Sequence, residues 1–111
     1  MVYQAHRTDN FERRIEKYSN QKARIEALIN RILIDPRHKS HLLNYKYGKD
    51  LRGKRSRHLS TNFLIVFMLC DECIEQGFRE KGYNNCSFCT GQPEKKVIFL
   101  SFGTYDVTYK K

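Results

Sequence analysis

Ile25, Leu28, Ile29, Ile32 and Leu33 recur at i, i+3, i+4, i+7 and i+8, which is one face of a helix. That helix should stop at Asp35-Pro36, because proline disfavours helical geometry in the residue before it. Phe11, Ile15 and Tyr18 predict a shorter helix upstream, with Asp9 as cap and Glu12 closing a capping box. Ser19-Asn20-Gln21 separates the two. The run "FLIVFML", Phe63 to Leu69, is β-branched and aromatic, and predicts a central strand buried on both faces. "KVIFLSFG", from Lys96, predicts a second buried strand. Lys54 to Ser60 alternates and predicts a strand, joined to the central one by a tight turn at Thr61-Asn62. Val2 to His6 predicts a short first strand, and the tail from Thr104 a short extended piece at the sheet edge. The order β-α-α-β-β-β is an α+β fold, with two helices packed on one face of a small, mostly antiparallel sheet. The other face is open and can be polar, so a site belongs there.

Length sets one domain, residues 1–111. Charge changes the picture more. With 21 Lys+Arg against 12 Asp+Glu the formal net charge is +9, which attracts polyanions, nucleic acid foremost. No apolar run approaches the ~18 residues of a membrane span, and the N-terminus lacks the apolar segment of a secretory signal. The expectation is a cytoplasmic protein with no membrane partner.

The charge is concentrated. Between Pro36 and His58 lie eight Lys/Arg and one acid, Asp50, so this span holds seven of the nine net charges. Histidines and tyrosines are interleaved with them, a mixture that suits single-stranded RNA: Arg pairs with phosphate and rings stack on bases. His58 stands beside the cations. A neutral imidazole there can accept a proton from a ribose hydroxyl while Arg or Lys holds the phosphate. Strand alternation puts Arg55 and Arg57 on one face, and Lys54, Ser56 and His58 on the other. Only one set can lie on the open face unless a bulge intervenes.

Cys70-x2-Cys73 and Cys86-x2-Cys89 form two knuckles whose four thiolates would complete a tetrahedral zinc site. The alternatives are one or two disulfides, or a dithiol redox site. A polar insert over 70–89 would not order itself, and zinc binding, at about 10–16 kcal/mol, could close it. Four thiolates leave no open coordination position, so the metal would be structural.

"LRGKRSRHLSTNFLIVF", Leu51 to Phe67, resembles the central segment of the RelE/ParE toxin superfamily, particularly its YafQ-like branch. That branch reads Leu-x-Gly, a basic stretch, Arg-x-x-His, then Asp-Trp-Leu-Leu-Ile-Tyr. "FLSFGTYDVTY", Phe99 to Tyr109, resembles the family's last strand and terminal motif, and "LIDPRHKSHLL", Leu33 to Leu43, its usual Asp-Pro helix stop. The cysteine insert, between the last two strands, departs from the family. The resemblance implies a RelE-like fold and a type II toxin that cleaves mRNA, usually on the ribosome, without a catalytic cofactor. It implies a cognate antitoxin as partner. The ribose 2′-hydroxyl would attack the adjacent phosphorus, giving a 2′,3′-cyclic phosphate and a 5′-hydroxyl. His58 matches an active-site histidine. Asn62 stands where the branch has an aspartate, and Tyr105 where it has a histidine; Asp106 is a weaker candidate. Leu64 replaces a phosphate-binding Arg of the RelE branch, leaving that task to Lys49, Arg52, Lys54, Arg55 or Arg57. Asn cannot exchange a proton, and Tyr is a poor base that can still act as an acid. These departures keep two other readings open: a non-catalytic RNA- or ribosome-binding protein, with zinc as a second contact module, and a ParE-like gyrase inhibitor.

Overall fold

A computed structural model describes residues 2–46, 49–84, 86, 88–104 and 108. The chain order is β1 (Gln4–Arg7), α1 (Asp9–Glu16), a 3-10 turn (Ser19–Gln21), α2 (Lys22–Ile34), β2 (His41–Leu42), β3 (Tyr45–Lys46), β4 (Lys49–Asp50), β5 (Arg55–His58), β6 (Phe63–Leu69), α3 (Cys70–Glu75) and β7 (Lys96–Thr104). Five strands form one sheet in the order β1-β7-β6-β5-β2, while β3 and β4 pair separately. Among the described residues the β1–β7 pairing is parallel and the other pairings are antiparallel.

The predicted apolar stripes meet as expected. Phe11 and Ile15 of α1 and Ile25, Leu28, Ile29 and Ile32 of α2 pack on Ile65, Phe67, Leu69, Val97, Phe99 and Phe102 of the sheet. Tyr18 lies past the end of α1, and its ring meets Phe63 and Phe102 edge-on. The helix cap moves by one residue. Thr8, not Asp9, is the N-cap, its hydroxyl accepting from the Phe11 amide at 3.2 Å. Glu12 does not close a box but pairs with Arg7, whose guanidinium also grips Glu26 through two 2.9 Å bonds. The turn after β5 is looser than a two-residue hairpin: the amides of Leu59 and Ser60 both donate to the Phe63 carbonyl.

A β-bulge shapes the open face. Phe67 pairs with Phe99 and Val66 with Ser101, so Leu100 is the extra residue. Phe99 and Phe102 remain on the helix side, and Leu100 joins the open-face cluster of Leu43, Leu51, Leu64 and Val66. Three short strands, β2 to β4, escape sequence reading because two residues carry no periodicity. β3 and β4 form a hairpin that brings Leu51 onto the open face.

Candidate nucleic-acid interface

The register of β5 on β6 decides which charges share the open face. Arg55 lies opposite Phe67 and Arg57 opposite Ile65, both on the helix side. Ser56 lies opposite Val66 and His58 opposite Leu64, both on the open side. The two sets predicted by alternation therefore separate, and Arg55 and Arg57 point away from the surface that carries His58. Arg55 is held by Glu72, its Nε and Nη2 donating to the carboxylate at 2.6–3.1 Å, and by the Ser40 hydroxyl. Arg57 is buried near Arg31 and Asp35; burial, then Arg31, pulls its guanidinium below the usual value.

On the open face Arg14, Lys49 and Lys54 line one cleft with Asn10, Ser101 and Thr108 over an apolar floor of Leu51, Val66 and Leu100. None of the described lining residues is acidic. Arg14 and Asn10 come from α1, which passes the edge of β7 beyond its pairing with β1. Asn10 Nδ2 donates to the Leu100 carbonyl there at 2.9 Å. These two residues were missed in the sequence because more than twenty residues separate them from the basic span; the paired Arg13-Arg14 on α1 was the available signal.

Lys54 donates to the Tyr83 carbonyl at 2.9 Å and to Asn84 Oδ1 at 3.1 Å. Burial lowers the pKa of its amine. Arg52 lies over the Tyr83 ring, 4.3 Å from its centroid, and forks onto Asp50 through Nε and Nη2 at 2.9 Å each. That fork, together with the Arg52 amide, holds the Asp50 carboxyl down at about 2. A depressed carboxyl contributes its stabilisation above the ordinary carboxylate range and loses it as pH falls toward 2. NMR titration of Asp50 should therefore give a midpoint well below that of Asp50 in an Arg52→Ala variant.

His58 is exposed at the end of β5, two residues or about 7 Å along the strand from Ser56. Asn62 is exposed in the β5–β6 loop. Tyr105 and Asp106 lie outside the described residues.

The four cysteines are free and all line one small cavity against Met68 and Ile98. Among the described residues no three His, Cys, Asp or Glu side chains are drawn together as a ready-made metal-binding group. Cys70 and Cys73 sit on α3, a helix the sequence reading did not foresee. The same helix carries Asp71 and Glu72 to the opposite side. There the Tyr3 hydroxyl donates to Asp71 Oδ2 at 2.5 Å, and Arg37 donates to Tyr3. Burial first, then Asp71, raises the Tyr3 phenol.

The sheet and the helices packed on it share their fold with solved toxins of the RelE and YafQ type. The toxin–antitoxin complex RelBE2 of Mycobacterium tuberculosis superposes with TM-score 0.61 at 14% identity, covering 94% of this chain and 99% of that one. YafQ of E. coli gives TM-score 0.61 at 14% identity, over 96% and 98%. The E. coli DinJ–YafQ toxin–antitoxin complex gives 0.60 at 13%, over 98% and 99%. No protein-family model matches the chain, and no curated protein matches it in sequence. Among the described residues no helix is long and apolar enough to cross a membrane.

Proposed function

We propose that this protein is an RNA-cleaving toxin of a toxin–antitoxin pair. The observation that carries the reading is the cleft lined by three cations and, among the described residues, no acid, on the face that bears His58, within the fold of RelE2 and YafQ. Arg14, Lys49 and Lys54 would hold the RNA phosphates, taking the place of Arg55 and Arg57. His58 takes the ribose 2′ proton as that oxygen bonds to phosphorus. Tyr105 protonates the departing 5′ oxygen, leaving a 2′,3′-cyclic phosphate and a 5′-hydroxyl. mRNA on the ribosome is the substrate, and the antitoxin covers the basic face with acidic segments. Chemistry at this site needs no bound cofactor.

The test is primer extension on translated messages after induction, comparing wild type with His58→Ala and Tyr105→Phe. Site-specific cuts that vanish in His58→Ala support the reading; cuts that persist unchanged in both variants sink it. Binding of a short single-stranded RNA checks the cleft separately. Replacing Arg14 and Lys49 together by alanine should flatten the dependence of log K on log salt by roughly 1.4, about 0.7 for each phosphate no longer neutralised. RNA binding that survives with no cleavage by the wild type would leave a non-catalytic binder, a reading favoured by Asn62, which has no titratable group.

A further inference from the structure

We propose that Cys70, Cys73, Cys86 and Cys89 bind one zinc ion, and that this ion sets the insert as a clamp on the basic turn between β4 and β5. The proposal stands apart from the RNA reading, since it concerns only how the turn is held. All four thiols are free and face one cavity, two from α3 and two from the loop before β7. Within each pair the two-residue spacing lets both thiolates reach one ion, and four of them make a closed tetrahedral site. N–H donors already serve the second knuckle: Arg79 Nη1 lies 2.9 Å and the Gly91 amide 3.4 Å from Cys89 Sγ. Such outer bonds orient ligands in metal sites. Lys96 Nζ, donating to the Phe88 carbonyl at 2.7 Å, ties that knuckle to β7. The side chains are not yet converged into a metal-binding group, so binding requires them to turn inward across the cavity they share.

The clamp is on the far side of the insert, two residues before Cys86. Asn84 is buried, donates to the Gly53 carbonyl at 3.1 Å, and accepts from Lys54 Nζ. Gly53 has φ +86°, and a Cβ there would lie 2.9 Å from Asn84 Nδ2. The insert thus fits the turn too closely for any side chain at Gly53, and fixing Cys86 fixes that fit.

The test uses the full chain purified from zinc-supplemented cells. Elemental analysis should find one zinc per chain, and cobalt(II) in its place should show thiolate charge-transfer absorption. Both should be lost in Cys86→Ser/Cys89→Ser. Chelation should speed hydrogen exchange of the turn amides, Lys54 among them, by about tenfold or more, with β6 and β7 still protected. Asn84→Ala should keep the zinc yet loosen the turn in the same way. Substoichiometric zinc with the cysteines paired as disulfides overturns the metal site. Stoichiometric zinc whose removal leaves turn exchange unchanged, or unfolds the sheet as well, overturns the clamp.

Discussion

Replacing Glu72 by alanine is expected to lower the free energy of unfolding by about 3–5 kcal/mol. Both partners of the Arg55–Glu72 pair are largely out of water, with side-chain exposures of 14% and 7%, and the bond from Nη2 is 2.6 Å long. Removing one leaves the other as an uncompensated charge in a medium that solvates it poorly. The Arg37 guanidinium, 3.9 Å from the Glu72 carboxylate and 3.8 Å from that of Asp71, is itself a cation and cannot replace the lost charge. Removing both partners should be gentler: Arg55→Met/Glu72→Leu is expected to cost less than either single change, because no lone charge remains. Urea denaturation of the four proteins measures this directly. If instead Arg55→Met left stability untouched and flattened the salt dependence of RNA binding, Arg55 would belong with the phosphate ligands and not with the framework.

The second large effect is expected at Phe99. Its ring is fully buried, 5.3 Å from that of Phe11 and 6.2 Å from that of Phe67, at the level where β1 ends its pairing with β7. Phe99→Ala should cost about 3–5 kcal/mol from lost burial and the cavity left behind. Small domains have only about 5–15 kcal/mol in total, so a sizeable unfolded fraction should follow. A fall in the urea midpoint with the slope unchanged would identify the loss as one of packing; a change below about 1 kcal/mol would mean that the core collapses around the gap.

The helices and the central strands were readable because their apolar positions repeat over enough residues to define one face. α2 and β6 needed nothing else. The face of β5 was not readable: Arg55 and Arg57 are as polar as Lys54 and His58, so alternation divides them without saying which set is inside. What turns the arginines inward is Glu72, for Arg55, on a six-residue helix within the cysteine segment. That segment reads as an appendage when only its thiols are considered. Its acids prove to belong to the main fold. The cleft was half legible: Lys49 and Lys54 stood in the basic span, whereas Arg14 and Asn10 reach it only because α1 passes the end of β1. Residues 105–107, which include the predicted acid Tyr105, lie outside the described residues.

The parallel pairing of β1 with β7 imposes an order in time. Gln4 to Arg7 find their strand partners at Lys96 to Phe99, some ninety residues later, and Thr8, which caps α1, is bonded to the carbonyl of Phe99. Pairings so distant in sequence cannot reward the chain until the intervening loop has been closed. While the protein is being synthesised, β5, β6 and α2 can associate early, but α1 and β1 must wait for β7. The cleft, which needs Arg14 from α1 beside Ser101 from β7, is therefore among the last features to form. A nascent chain carries its basic span long before it carries a complete site.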